Sequence, residues 1–105
     1  MVLLGVDPHK DTHPVVAVDE AGRQLDQMTV PARTLGHGEL VGRARMRWSE
    51  RIWAVEDCRH VSGRLERDLL AAGERVVRGA APADGLTHPG AARKLSPVRP
   101  HENLA

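Results

Sequence analysis

The fold of this chain is decided at Leu3-Leu4-Gly5-Val6-Asp7-Pro8-His9-Lys10-Asp11-Thr12-His13. A short apolar run there ends on the carboxylate of Asp7, and Pro8 stops strand pairing directly behind it. A carboxylate on a rigid strand end can hold a hard divalent cation such as Mg²⁺. An Asp before a Pro also favours the start of a turn. From this stretch alone, a metal ligand and a turn residue both stay open.

The first 30 residues predict three strands. Residues 2–6 read as a buried apolar strand, and residues 14–18 form a second one, closed by the hairpin-turn sequence Asp19-Glu20-Ala21-Gly22. The third strand, over residues 23–30, alternates poorly, so we expect it at the edge of the sheet, ended by Pro31. These three strands would form an antiparallel meander.

The pattern then changes to helical spacing. A first helix is predicted from about residues 36–38 to about residue 49, because apolar side chains recur there at helical intervals, at Leu40, Val41, Ala44 and Trp48. Residues 51–56 follow as a fourth strand. This strand is short and apolar, like the first, and it also ends on an acid, Glu56.

A second helix and a last strand complete the ordered elements. Apolar side chains at Val61, Leu65, Leu69 and Ala72 predict the second helix, whose start Ser62 could cap and which Gly73 would stop, and the last strand covers residues 74–78. Strands joined by a helix normally run parallel to each other. We therefore predict an α/β fold, with an antiparallel three-strand meander at one side of a mixed sheet and parallel strands with crossover helices at the other.

The composition fits one small domain. The chain has 105 residues, 41% of them hydrophobic, with a net charge of +1 that does not by itself indicate a nucleic-acid partner. The single cysteine, Cys58, excludes an internal disulfide and fits a reducing compartment, and we expect its thiol to be buried or half-buried. No apolar run is long enough to span a bilayer, and the N-terminus does not read as a signal peptide. We expect a cytoplasmic chain without a membrane partner.

The two strand-terminal acids, Asp7 and Glu56, form a pair in this topology. The first and fourth strands would be parallel neighbours, about 4.8 Å apart. Their terminal carboxylates could then converge on one Mg²⁺ or Mn²⁺ ion, as half of a site for metal-dependent phosphoryl transfer. Glu56 alone could equally be a solvated strand end beside Asp57.

The element order and several segments resemble one known family, the bacterial insertion-sequence transposases of family one-ten. The resemblance is to their N-terminal DEDD domain, which is RuvC-like with a ribonuclease H fold, and it covers about residues 2–78. It depends on four segments, Gly5 to His13, Trp53-Ala54-Val55-Glu56-Asp57, Asp19-Glu20-Ala21-Gly22-Arg23 and Leu70 to Val77.

The resemblance implies that Asp7 and Glu56 are the first two acids of the DEDD set. It also implies a ribonuclease H-like sheet, Mg²⁺ or Mn²⁺ as cofactor, and DNA as the partner in recombination and transposition, with a guide RNA as a further candidate partner. Asp7 and Glu56 would be both catalytic residues and metal ligands.

The rest of the family pattern is missing from the sequence. The family's last two acids lie in an Asp-Pro-x-Asp stretch after a basic Gly-Lys-Ser segment, and a C-terminal domain carries a catalytic serine; this sequence has none of these. The composition changes at Gly79, so residues 79–105 read as a mostly disordered tail. We therefore expect residues 1–78 to be an incomplete RuvC-like domain from a truncated transposase, with weak Mg²⁺ binding and no strand transfer. Self-association, or pairing with a full-length transposase, is expected of such a fragment.

Two other functions stay open. The first is a non-catalytic module that binds nucleic acid or a transposase partner, with its charge supplied by Arg43, Arg45, Arg47 and Arg51. The second is a nucleotide-binding fragment of the sugar-kinase and actin type. The two acids in the first hairpin turn disfavour the second function because they would repel phosphate.

A few further residues have weaker signals. Lys10 could approach a phosphate near Asp7, and Arg43 and Arg47 could contact nucleic acid from a helix. His9 and His13 lie four residues apart in what the sequence indicates to be a loop. A zinc pair there is disfavoured because no further ligand lies at metal-binding spacing.

Overall fold

A six-stranded mixed sheet is the centre of the computed structural model, which describes residues 1–56, 59–79 and 96–98. Along the chain the elements are β1 (Val2–Val6), β2 (Thr12–Val18), β3 (Gln24–Pro31), α1 (Thr34–Arg47), β4 (Arg51–Val55), α2 (Arg59–Ala71), β5 (Val76–Arg78) and β6 (Ser96–Pro97). The strand order across the sheet is β3-β2-β1-β4-β5-β6. The predicted α/β mixed sheet is confirmed.

The first three strands form the predicted antiparallel meander. Its first turn is fixed by Asp19, whose Oδ1 accepts hydrogen bonds from the backbone N–H groups of Ala21 and Arg23, each at 2.9 Å. Gly22 has a φ of 84°, a conformation that glycine adopts without steric cost. Strand β2 begins at Thr12, two residues before the predicted start at Pro14. Pro14 lacks an N–H, but its carbonyl accepts a hydrogen bond from the N–H of Asp7 at 3.1 Å, so the pairing extends past it.

The parallel half of the sheet is built on β4. This strand pairs in parallel with β1 on one side and with β5 on the other, as predicted. The strands β1, β4 and β5 therefore all end at one edge, after Val6, Val55 and Arg78, which we term the carboxyl edge. The opposite edge, where the same strands begin, is termed the amino edge.

The hydrophobic core lies between the sheet and the two helices. In the described residues it is almost entirely aliphatic, as the composition predicts, with the fully buried Trp53 as its one aromatic side chain. Alternate residues of the central strands face it, and each helix contributes a stripe at helical spacing. The core members are Val2, Leu4, Val6, Val15, Ala17, Val30, Leu40, Val41, Ala44, Trp53, Val55, Leu65, Leu69, Val76 and Val98.

Helix α1 begins at Thr34, earlier than predicted. The reason is a close approach at Gly36, where a Cβ would lie 2.2 Å from the carbonyl oxygen of Pro31. Gly36 thus lets the first turn pass against the end of β3, so it lies inside the helix and does not mark its start. The helix ends at Arg47, two residues before the predicted end.

The prediction that Ser62 caps α2 is wrong. The helix begins at Arg59, and Ser62 lies inside it, buried at 1% exposure. Ser62 shares the i, i+3, i+7 spacing of Leu65 and Leu69, so its side chain belongs to the core-facing stripe. Its Oγ has no hydrogen-bond partner in the described part of the chain.

Residues 96–98 add a short edge strand that the sequence did not predict. Strand β6 pairs antiparallel with β5, the N–H of Val98 bonds the carbonyl of Val76 at 2.8 Å, and the Val98 side chain is buried. The remainder of the predicted disordered tail, like Cys58, lies outside the described residues. No helix in residues 1–56 and 59–79 is long and apolar enough to cross a membrane.

Candidate functional site

The two sequence-predicted acids lie next to each other at the carboxyl edge. Asp7 directly follows β1, and Glu56 directly follows β4, with the Glu56 N–H bonded to the carbonyl of Val6 at 3.1 Å. This bond continues the parallel register by one residue beyond the strands, so the two acids face each other across neighbouring strands. Their side chains lie close enough to interact. The predicted adjacency of the two strand ends is therefore present in the structure.

The contact between the carboxyl groups sets the protonation of Asp7. A hydrogen bond from Glu56 is the largest influence on Asp7 and lowers its pKa, and partial burial opposes this by a smaller amount. Because its pKa lies below the ordinary value, Asp7 is ionised at neutral pH. An ionised carboxylate beside a second carboxyl group is a natural pair of oxygen ligands for a divalent cation.

His9 supports the ionised form of Asp7 from the solvent side. Its Nε2 lies 3.0 Å from Oδ2 of Asp7, and this contact lowers the pKa of Asp7 further. Both side chains are about half exposed, at 56% for His9 and 48% for Asp7, so a ligand can reach the pair from solvent.

His13 points in a different direction from His9. The structure places it in β2 and not in a loop, with the ring buried at 1% exposure, and its Nδ1 accepts the backbone N–H of His9 at 3.2 Å. The imidazole of His9 is therefore exposed to solvent, and that of His13 is buried. No group of three or more His, Cys, Asp or Glu side chains that could hold a metal ion occurs within residues 1–56 and 59–79.

His13, His37 and Asp68 form a buried polar chain, termed the buried relay, which contacts the backbone of His9. The sequence analysis missed it. The rings of His13 and His37 stack with centroids 5.3 Å apart and 18° between their planes. The Nδ1 of His37 lies 2.6 Å from Oδ2 of Asp68, on α2. Burial lowers the pKa of His13 to about 4, and the nearby rings of His37 and His9 add to the shift, so His13 is neutral at neutral pH. One sequence signal could have found His13: it alternates with Val15 and Ala17 on the core-facing side of β2.

Of the predicted nucleic-acid contacts, Lys10 lies in the loop that follows Asp7, and the two arginines lie on α1. Lys10 lines a cavity of about 460 Å³ that is also lined by His13 and His37. Arg43 and Arg47 lie in the second half of α1, and this helix starts after the end of β3 and returns toward the amino edge. Arg43 Nη1 lies 4.0 Å from the Met28 sulfur, and Arg47 pairs with Asp26 of β3 and stacks on Trp48 at 4.6 Å. These contacts hold both arginines against β3.

The amino edge carries a second ionic cluster, which is buried and fully bonded. Glu74, at 3% side-chain exposure, accepts two bonds from Arg51 at 2.7 Å each and one from Trp53 Nε1 at 2.8 Å. Arg45 adds contacts at 3.2 and 3.3 Å. Burial raises the pKa of Glu74, but the bonds from Arg51 and Trp53 outweigh this and lower it overall. This cluster is structural: every Glu74 oxygen is satisfied by the protein.

The class of protein that this architecture defines is the ribonuclease H-like fold, in which an antiparallel meander is followed by parallel strands with helical connections. Among solved structures, Thermus thermophilus RuvC in complex with Holliday junction substrate is similar, with a TM-score of 0.60 at 17% sequence identity over 93% of this chain and 99% of that chain. A second Thermus thermophilus RuvC structure has a TM-score of 0.48 and 27% identity, over 74% of this chain and 60% of that chain. No protein-family model and no curated protein matches the sequence. The similarity to the junction-bound RuvC shows the fold.

Proposed function

We propose that this chain is a RuvC-like domain of nucleic-acid processing, in which Asp7 and Glu56 hold Mg²⁺ or Mn²⁺ for phosphoryl transfer on DNA. The observation that carries the proposal is the adjacency of these two carboxyl groups, which directly follow neighbouring parallel strands in register. Ligands of open α/β sheets commonly bind at the carboxyl ends of the strands. The Asp7 side chain is also about half exposed and Glu56 is partly exposed, whereas the buried Glu74 is bonded on every side.

The residues present fit one divalent cation, held weakly. Carboxylate oxygens are the ligands that Mg²⁺ and Mn²⁺ prefer, and the backbone bonds of Asp7 and Glu56 fix both side chains to the sheet. When bound, the cation would polarise a phosphoryl oxygen of the DNA backbone. Two carboxyl groups are few for a two-ion centre, and the described residues supply no third ligand beside them. We therefore expect weak metal binding and little or no cleavage by this chain alone.

Within this class, we assign the chain to the insertion-sequence transposases of family one-ten. This finer assignment is supported by the residues after β1 and β4 that resemble that family and by the ribonuclease H-like fold. It makes DNA the principal partner. A guide RNA and a full-length transposase are the further partners that it predicts.

The alternative is a module that binds nucleic acid without cleaving it. It is favoured by the cations around the 460 Å³ cavity, and the described residues hold no larger group of metal-binding side chains. The arginines first considered for this role are less suitable, because Arg45 and Arg51 bond Glu74 and Arg47 bonds Asp26.

Metal binding by the wild-type chain tests the proposal most directly. Titration with Mn²⁺, followed by the loss of the free-ion electron paramagnetic resonance signal, should show weak binding at one site. Asp7→Asn and Glu56→Gln should each abolish it, because each removes an anionic oxygen ligand. Glu39→Gln, an exposed position on α1, is the matched control and should bind like the wild type. Unchanged binding in Asp7→Asn would contradict the proposal.

A DNA assay separates the two functions. We expect the chain to bind a four-way DNA junction, and Mn²⁺ to tighten the binding in the wild type but not in Asp7→Asn. Binding that is equal with Mn²⁺ and with a chelator would favour the non-catalytic module. Metal-dependent junction cleavage that is lost in Asp7→Asn would show that the centre is more complete than the two acids indicate.

A further inference from the structure

A cavity at the carboxyl edge is lined mainly by polar side chains, and Asp7 and Glu56 are not among its described lining residues. It lies between the loop after β1, the start of β2 and the first turns of both helices. Its volume of about 460 Å³ is in the range of small-ligand sites. The residues that matter for its chemistry are Lys10, His13, His37, Gly63, Arg64 and Arg67.

The charge of this cavity is positive. Lys10, Arg64 and Arg67 line it, and the described residues contribute no acidic side chain to its lining. Within the described part of the chain none of these three cations forms an ion pair, whereas Arg45, Arg47 and Arg51 at the other end of the domain all do. Positive side chains that converge without an acid between them attract an anion.

One of the residues that line the cavity, His37, has a buried ring nitrogen without a hydrogen-bond partner among the described residues. His37 is 1% exposed, and Asp68 fixes its ring through Nδ1 at 2.6 Å. Its Nε2 is buried and has no partner among the described residues. An unsatisfied buried nitrogen is costly, and in a native structure it requires an explanation, of which a bound ligand is one.

His13 presents a complementary donor. Its Nδ1 accepts the N–H of His9, so in the neutral ring the proton lies on Nε2. Stacking on His37 holds the two rings nearly parallel, so both offer an Nε2 atom from a fixed position. One cavity therefore combines three flexible cations with two rigid imidazole nitrogens.

We propose that this cavity binds a phosphate group, with Lys10, Arg64 and Arg67 supplying positive charge and His13 and His37 supplying buried hydrogen-bonding nitrogens. Phosphate suits these partners because its several oxygens can accept bonds from guanidinium and ammonium groups and from the Nε2–H of His13 at once. The phosphate can belong to a nucleic-acid strand, whose diester oxygens accept these bonds, or to a free phosphate compound, whose protonated oxygen can also donate to Nε2 of His37. His9 contacts both Asp7 and His13, so a strand held here would continue toward the carboxyl pair. That continuation rests on the proposed function, whereas phosphate binding itself does not.

The test is a titration of the metal-free chain, in the presence of a chelator, with inorganic phosphate, a nucleoside 5′-monophosphate and a short single-stranded DNA. Nitrogen-15 NMR of the imidazoles should show a shift of the His37 and His13 Nε2 signals on binding. Arg67→Gln and Lys10→Gln should each weaken binding by about tenfold, the effect of losing one charge-assisted hydrogen bond. The matched control is Arg75→Gln, an exposed arginine at the amino edge, which should leave binding unchanged.

A second variant blocks the cavity without removing charge. A Cβ at Gly63 would lie 3.9 Å from Nη1 of Arg67, so Gly63→Leu should fill the space beside this guanidinium and weaken binding. Both Arg64 and Arg67 are exposed, so their Gln variants should fold normally, which circular dichroism would verify.

The outcomes distinguish a strand phosphate from a free phosphate compound, and the phosphate cavity from the proposed metal site. Binding of DNA at least tenfold tighter than of the two small compounds would identify a strand phosphate, and equal binding would identify a free phosphate compound. Imidazole signals that do not move with any of the three ligands would overturn the inference, as would equal losses in Arg67→Gln and Arg75→Gln. Asp7→Asn should retain phosphate binding, so failure of the metal site and failure of the cavity give different results.

Discussion

The amino and carboxyl edges of the sheet differ in how completely their polar side chains are hydrogen-bonded within the protein. At the amino edge, the buried Glu74 is bonded by Arg51, Trp53 and Arg45. At the carboxyl edge, two carboxyl groups face each other, and a buried imidazole nitrogen of His37 has no partner in the described residues. One edge satisfies its charges within the protein, and the other leaves charges and hydrogen-bonding atoms available to a ligand.

This difference separates a stabilising role from a binding role. A buried charge with all of its hydrogen bonds made is costly to disrupt, because removing one member leaves its partners desolvated and unpaired. A like-charged pair or an unsatisfied buried nitrogen lowers stability, and such groups are typical of functional sites. We therefore expect substitutions at the amino edge to destabilise the fold and several at the carboxyl edge to leave it unchanged or stabilise it.

The largest expected effect is at Glu74. Replacing it in Glu74→Ala leaves Arg51 and the indole N–H of Trp53 without their acceptor, and we expect the free energy of unfolding to fall by about 3–5 kcal/mol. Urea denaturation followed by tryptophan fluorescence would measure it.

Two matched variants serve as controls for Glu74→Ala. Glu39→Ala removes an exposed glutamate from α1 and should change the free energy of unfolding by less than about 0.5 kcal/mol. Glu74→Gln keeps an acceptor for Trp53 but loses the charge, so its loss should be smaller than that of Glu74→Ala. A loss of less than about 1 kcal/mol in Glu74→Ala would show that the cluster is not the stabilising element we infer.

The next largest effect is a pH dependence from His13. Its pKa is lowered from 6.5 to about 4 in the folded chain, so between these values the unfolded chain binds more protons than the folded one. Stability therefore falls as the pH falls, and we expect a loss of about 2 kcal/mol from pH 7 to pH 5. His13→Gln cannot titrate, so the free energy of unfolding should change less with pH over this range than in the wild type.

The comparison of slopes isolates His13, because every other titratable group is present in both proteins. An independent measurement is the imidazole chemical shift of His13 against pH. A His13 titration midpoint near 6.5 would contradict the buried, neutral ring described here.

His13 also shows what the sequence could and could not predict. The elements, their order and the adjacency of Asp7 and Glu56 followed from patterns of two to four residues and from the rule that helix-linked strands run parallel. The pairing of His37 with Asp68 joins residues 31 positions apart on two helices, and its position depends on how α1 and α2 pack. No local pattern encodes that packing, so the buried relay and the cavity beside it were found only in the structure.

Strand β6 was missed for a related reason. Residues 96–98 have too little apolar periodicity to predict a strand, and they form one because the free edge of β5 accepts their hydrogen bonds. The start of α2 was missed because Ser62 resembles a helix cap in sequence, whereas its position on the core-facing stripe is visible only in the fold.

A smaller effect, of opposite sign, is expected at Glu56. Asp7 and Glu56 are two acids at the ends of neighbouring strands, and a glutamine at position 56 removes one of the two carboxyl groups while keeping the size of the side chain. We expect Glu56→Gln to raise the free energy of unfolding of the metal-free chain by about 1 kcal/mol, a modest value because Asp7 is half exposed. Glu39→Gln should show no such gain. A clear loss of stability in Glu56→Gln would mean that the pair stabilises the fold, as Glu74 does.

The smallest expected effect is at Ser62, the other buried polar group without a partner in the described residues. Ser62→Ala removes a buried hydroxyl from the interior of α2 and places the best helix-forming residue there, so thermal unfolding should show a gain of about 0.5–1 kcal/mol. If stability falls instead, the hydroxyl has a partner, and repeating the measurement with inorganic phosphate present would show whether a ligand at the carboxyl edge is involved. A gain in the free chain that disappears on adding phosphate would indicate that this edge retains polar groups for binding at the expense of stability.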